Sequence, residues 1–270
     1  MLLGLVFAPL ERLWPQRRDR LFRSAFWVDL GYFFINGVVP SLVLTGPVAF
    51  MAWALHGLIP DAVTGAIGQW PIWLRTASAI LVAEIGFYWG HRWSHEIPLL
   101  WRFHRIHHSA PHVDWLVNSR AHPVDMIFNR VCGLAPVYIL GLAAPNDPAG
   151  TLIPVFVVLL GTFWGFFIHA NVRWRFGALE WLVSTPAYHH WHHSNDGPET
   201  VNKNYAPTLP WVDRLFGTFH LPPDRRPAVC GIDAKLPAGF WAQLLDPFVA
   251  TSAPAPVQSP PRSEAKSGTP

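Results

Sequence analysis

Three short stretches of the chain concentrate imidazole: His91-Arg-Trp-Ser-His95, His104-Arg-Ile-His107-His108 and His189-His190-Trp191-His192-His193. Eleven of the 14 histidines fall within residues 91–122 and 189–193. Side chains three and four residues apart share one face of a helix, so His91 and His95 point together, as do His104, His107 and His108, and His189, His192 and His193. Rings crowded in this way repel one another if protonated, and unpaired polar groups near a bilayer are costly. Neutral imidazoles sharing metal ions relieve both problems. These eight nitrogens exceed what one tetrahedral or octahedral ion uses, which implies two ions. Imidazole without thiolate suits zinc, copper, iron or nickel and argues against an iron–sulfur cluster. His95-Glu96 does not open a metalloprotease motif, because the second histidine of His-Glu-x-x-His would fall at Leu99.

The elements that must carry these rings are apolar. Of the 270 residues 51% are hydrophobic and 14% charged, against about 25% charged in ordinary globular chains. That balance excludes an intrinsically disordered chain, and two cysteines exclude a disulfide scaffold. Residues 25–58, 71–90, 126–144 and 150–170 are each long and apolar enough to cross a bilayer. The predicted fold is therefore all-α: an integral membrane protein with about four transmembrane helices and a cytoplasmic, histidine-rich, metal-binding helical cap. Stretch 25–58 reads as one tilted span kinked at Pro40 or as a hairpin. The opening ten residues are too short to span and read as an interfacial or packing helix.

Every Lys and Arg except Arg75 lies before the first stretch, between the second and third or at their boundary (Arg130), or after the fourth. By the positive-inside rule, four crossings place both termini and the histidine stretches in the cytoplasm. The basic pI of 9.1 then reflects facing anionic lipid headgroups, and nucleic-acid binding is not needed to explain it. The domain organisation expected is an interfacial segment 1–24, a membrane domain 25–225, a C-terminal extension 226–250 and a disordered tail 251–270 rich in Pro, Ser and Ala.

With these spacings on the page, the chain resembles the membrane fatty acid hydroxylase/sterol desaturase superfamily, histidine-box di-iron oxygenases, and within it the compact bacterial sterol desaturase family proteins. The resemblance covers roughly residues 10–225. It includes YWGHRWSH at 88–95, LWRFHRIHHS at 100–109, RAHP at 120–123, HAN at 169–171, and NY at 204–205 with WVDRLFGTF at 211–219. It implies two Fe ions, O2 as co-substrate, and a lipid substrate (sterol, fatty acyl or related) that is hydroxylated or desaturated. It also implies a bacterial inner (plasma) membrane location. No dinucleotide-binding glycine fingerprint or cysteine cluster is present, so electrons come from an external partner, a reductase with a ferredoxin or cytochrome-type donor.

Members of this type usually need ligands beyond the boxes. His122, close after the second box, and His169, at the cytoplasmic end of the fourth apolar stretch, are the candidates. An ionisable residue at that depth is a functional-site hypothesis by default. His112 and His190 are expected behind the ligands or facing solvent, and His56 and His220 at the interface. Glu84 shares a helical stripe with Tyr88, His91 and His95 and could accept a ligand N–H. Asp125 could orient His122, and Asn171 could join these outer contacts. The rival is a non-enzymatic membrane protein that binds haem or transports metal. Haem would use only one or two of these rings, and a carrier would need polar residues through several spans.

Overall fold

The computed structural model describes residues 2–18, 20, 22–55, 58–143 and 148–249, with side chains omitted at 40–49, 51, 52, 55, 148 and 149. Within them the chain is all-α: ten α-helices and two 3-10 turns, with no strand. Each of the four apolar stretches folds as a helix. They are α2 (Phe26–Leu55), α4 (Ile72–Glu96), α6 (Pro123–Ile139) and α7 (Pro148–His169). α2 runs unbroken, so the hairpin alternative is not what forms; a kink at Pro40 lies outside the described side chains. By length and hydropathy, Gly150–His169 within α7 is apolar enough to cross a membrane, and Phe26–Val39 is a shorter apolar run. α4 falls below that measure for a clear reason. Arg75 and Glu84 interrupt its apolar part, and its last turns carry the first histidine box on the same rod.

The first ten residues form most of α1 (Leu2–Leu13). α1 packs through Phe7 against Phe163 and Phe166 of α7, while Leu2 and Leu5 stay exposed. A short helix not foreseen from the sequence, α3 (Asp61–Gly68), fills the loop between α2 and α4. α5 (Pro98–His108) starts with proline at its first turn, where the missing N–H costs nothing. α8 (Pro186–His192) repeats that device and adds a side-chain cap, Thr185 Oγ1 accepting from the Tyr188 N–H. α9 (Trp211–Leu215) and α10 (Phe240–Val249) complete the chain. The tail 251–270 and His56 lie outside the described residues.

The principal core joins α4, α6 and α7 through Ala79, Ala83, Leu134, Val137, Ile153 and Val157. The α4–α6 contact is a glycine seam. A methyl added at Gly86 would collide with the Cys132 carbonyl oxygen, one at Gly90 would stand 2.8 Å from Cys132 Cβ, and one at Gly133 would meet the Phe87 ring at 2.5 Å. Small residues at such contacts let backbones approach closely where lipid supplies no hydrophobic drive between helices. The outward side of α7 keeps Leu152, Val155 and Leu159 exposed. The C-terminal extension folds back rather than trailing away. Phe240 packs edge-on against Tyr32 of α2, Phe248 against Phe103 of α5, and Asp246 pairs with Arg105.

Candidate metal centre

Four helices deliver the imidazoles. The last turns of α4 carry His91 and His95, α5 carries His104, His107 and His108, α7 ends on His169, and α8 carries His189 and His192 with His193 as its C-terminal cap. The structure gathers these rings into two sets, within each of which the candidate ligand atoms lie within 4.8 Å of one another. The first set is His91, His95, His104, His108 and His192; the second is His107, His169, His189 and His193. All nine are buried except His91, which is half-buried.

Hydrogen bonds on the far side of the rings fix which nitrogen faces inward. Nδ1–H donates from His91 to the Tyr205 carbonyl at 2.7 Å, from His192 to the Lys203 carbonyl at 2.8 Å, and from His104 to Asp125 Oδ2 at 2.9 Å. His95 Nδ1 reaches Asn202 Oδ1 at 3.3 Å, and Asn202 sits in the left-handed backbone region that asparagine tolerates. In the second set, His107 donates to the Arg120 carbonyl at 3.2 Å and His169 to the Gly165 carbonyl at 2.7 Å. A neutral ring carries one proton, so each of these Nε2 atoms presents a bare lone pair. Yet His95 and His104 bring their Nε2 atoms to 3.1 Å, and His107 and His169 to 3.2 Å. His169 Nε2 also stands 3.0 Å from that of His189 and 3.1 Å from that of His193. Between His95 and His104, and between His107 and His169, lone pairs converge without a proton between them and repel; a cation among them turns the repulsion into coordination. The donor set therefore fits a metal in each group, and its second nitrogens are anchored as ligand imidazoles usually are.

Electrostatics agrees. Burial, then the nearness of the other rings, holds His95, His107, His108, His189, His192 and His193 well below the usual histidine range, and burial does the same to His104. These rings are neutral at pH 7, the state that binds metal. Burial pushes the Asp125 carboxyl up to about 6, with hydrogen bonds from Ser94 and Asn129 opposing it, so it is mostly ionised at neutral pH behind His104. Trp101 lies across His95 and His108 with ring centres 5.2 and 5.7 Å away, and Tyr205 lies 5.1 Å from His95. These aromatic faces close the first set against water.

Several expected residues stand elsewhere. His122 joins neither set: its Nδ1 accepts from the Val124 N–H as the cap of α6, its Nε2 faces the Leu244 carbonyl at 3.0 Å, and Phe103 and Phe248 flank it. With both nitrogens engaged it is a structural ring, which corrects its expectation as a ligand. Asp125 does lie behind one of the gathered rings, but that ring is His104 rather than His122. Glu84 touches no histidine; its Oε1 accepts the backbone N–H groups of Thr208 and Leu209, each at 2.7 Å. Asn171 exchanges bonds with the backbone of Arg17 and likewise misses the rings. His190 stays outside both sets, facing the His169 carbonyl and Gln16 Oε1, and His112 and His220 also stand outside.

Three supports were not foreseen. Asn202 and the carbonyls of Lys203 and Tyr205 belong to one loop that backs His95, His192 and His91. Asp213 holds that loop by accepting from the N–H groups of Tyr205 and Ala206 at 2.8 and 2.7 Å. Asp29, fully buried in α2, pairs with Arg23 and Arg120, and Arg120 in turn offers its carbonyl to His107.

Comparison with known proteins follows the same residues. Residues 76–218 match the family described as fatty acid hydroxylase. Over 255 residues the chain is 40% identical to the ornithine lipid hydroxylase OlsE of Rhizobium tropici, covering 89% of this chain and 70% of that protein. It is 34% identical over 150 residues to an alkylglycerol monooxygenase of Danio rerio, covering 56% of this chain and 30% of that relative. It is 27% identical over 154 residues to the methylsterol monooxygenase 2-2 of Arabidopsis thaliana, covering 55% and 54%. No solved structure matches the chain. Both sets of converging imidazoles fall wholly inside the matched segment, and on that sequence match the chain belongs to the fatty acid hydroxylase family.

Proposed function

We propose that the chain is a membrane-bound, non-haem di-iron oxidoreductase that uses O2 to hydroxylate a C–H bond of a lipid. The observation that carries this reading is the paired convergence of nine imidazoles, eight of them buried, in which the Nε2 lone pairs of His95 and His104, and of His107 and His169, meet with no proton between them. The names of the similar proteins, hydroxylases and monooxygenases of lipids, favour hydroxylation over desaturation. His91, His95, His104, His108 and His192 would hold one iron, and His107, His169, His189 and His193 the other. Iron bound there would supply activation of O2 by two electrons and oxidation of an unactivated C–H bond.

The chain's own contribution is positional. Asp125, Asn202 and four backbone carbonyls keep protons on the outer nitrogens, so the inner ones stay free to coordinate. Trp101, Tyr205 and burial keep bulk water away from the reacting carbon. α2, α4, α6 and α7 would cross the bilayer, with the imidazole sets and both termini at the cytoplasmic face of a bacterial inner membrane. The exposed apolar sides of α2 and α7 would let a lipid approach laterally. The basic cytoplasmic face suits docking of an acidic ferredoxin or cytochrome-type donor. Residues 25–225 would form the membrane domain, and 226–250 an extension clasping it.

The test is metal analysis of the full-length protein in detergent, followed by turnover of a bacterial lipid extract with a ferredoxin, its reductase and 18O2. About two irons per chain and 18O in a lipid hydroxyl are expected. Haem absorbance, zinc in place of iron, or lipids without label would sink the reading.

A further inference from the structure

Where α7 ends, the segment after α1 folds back over the 3-10 turn Trp115–Ser119 and leaves a cavity of about 520 Å3, within the range of small-molecule sites. Five guanidinium groups line it, from Arg12, Arg17, Arg18, Arg20 and Arg173, against two carboxylates, Glu11 and Asp114. Both carboxylates are already engaged. Asp114 binds Arg23 through two bonds of 2.6 and 2.9 Å and caps the 3-10 turn. Glu11 Oε1 accepts the N–H groups of Trp115 and Asn171 at 2.7 and 2.8 Å. Arg17 donates to the carbonyls of Pro227 and Ala228. Arg12, Arg18, Arg20 and Arg173 are exposed, and their side chains make no hydrogen bond or ion pair among the described residues.

Like charges gathered around one cavity repel, and an oxyanion relieves them through paired N–H···O contacts. The rest of the wall is apolar, with Leu13, Phe26 and Trp115 facing the cavity. Leu13 in that wall is 64% exposed, and Phe22 and Trp27, which pack on Phe26, are 63% and 69% exposed, the aromatic and aliphatic fringe typical of a membrane–water interface. A free anion gains nothing from an apolar wall, whereas a lipid headgroup with its glycerol neck uses both chemistries. Asn171 forms the inner side of the cavity, two residues from His169, so the site adjoins the second imidazole set.

We infer that this cavity binds the phosphate headgroup of an anionic phospholipid at the membrane surface. The inference stands independently of whether the imidazoles hold iron, because its test reads binding. Calorimetric titration of the full-length protein in detergent compares short-chain phosphatidylglycerol, short-chain phosphatidylcholine and inorganic phosphate. Phosphatidylglycerol should bind about tenfold more tightly than either of the others. The double variant R18Q/R173Q, changed only at exposed and unpartnered side chains, should lose about tenfold or more of that affinity with its melting temperature unchanged. Equal binding of phosphatidylcholine would reduce the site to an apolar contact and overturn the inference. Inorganic phosphate binding as tightly as the lipid would assign a free anion instead and also overturn it, as would undiminished affinity in the double variant.

Discussion

The two imidazole sets differ in what stands behind them. In the first, four outer nitrogens end on a carboxylate, an amide oxygen and two carbonyls, from Asp125, Asn202, Tyr205 and Lys203. In the second, two end on the carbonyls of Arg120 and Gly165, and the Nδ1 atoms of His189 and His193 are buried without a hydrogen-bond partner. A carboxylate behind a ligand imidazole raises its basicity and fixes its orientation; a ring with nothing behind it is oriented by packing alone. The first site is thus charge-backed, whereas the second rests on neutral dipoles and on the placement of α7. Two irons held this way should not be equivalent.

The sharpest way to break that contrast is His169→Ala, which removes the ring whose Nε2 faces three others. Lipid hydroxylation should fall to background and bound iron by about half, the first set keeping its ion; metal analysis beside turnover reads both, and unchanged iron would erase the distinction. Asp125→Asn should cost about 10–100-fold in iron affinity or activity. Mössbauer spectra should show the loss confined to one of two iron signals, and an equal loss from both would mean the carboxylate does not set the sites apart. Taken per ring, the smallest effect is on pH. The buried rings titrate below their ordinary value of about 6.5, so below that pH the unfolded chain takes up protons that the folded chain refuses. Metal-free protein should be level in stability above about pH 6.5 and lose up to about 1.4 kcal/mol per ring and pH unit beneath it, with metal shifting the fall to lower pH. Thermal unfolding with and without iron checks the sign; a metal-free protein that gains stability on acidification would contradict it.

Eight of the nine gathered rings lie in the boxes and the ninth, His169, was a candidate beyond them, but spacing did not say how they divide. His104 and His108 differ by about 40° around a helix and His107 lies about 60° the other way, so α5 straddles the two sets. α8 does the same, sending His192 to the first and His189 and His193 to the second. A shared helical face is visible in sequence; its partition depends on where the neighbouring helices stand. His122 shows a signal misread. It has no histidine three or four residues away, and Pro123 directly after it marks a helix start, where a side chain caps the backbone. Glu84 lies on the stripe of His91 and His95, and only the return of residues 208–209 across α4 explains what it binds. The loop at 202–205 carried no histidine to announce it, although two of its carbonyls and the Asn202 side chain back three of the rings. Hydropathy located all four long helices, and α3 and α10 escaped because short helices draw their stability from contacts distant in sequence.

The glycine seam between α4 and α6 has a mechanical consequence. With a backbone carbonyl and a phenyl ring already pressed into the places where methyl groups would sit, neither helix has room to slide or roll against its neighbour. His91, His95 and, across the seam, Asp125 are therefore mounted on a single stiff frame. The two helices hold these three residues in one fixed relation to one another.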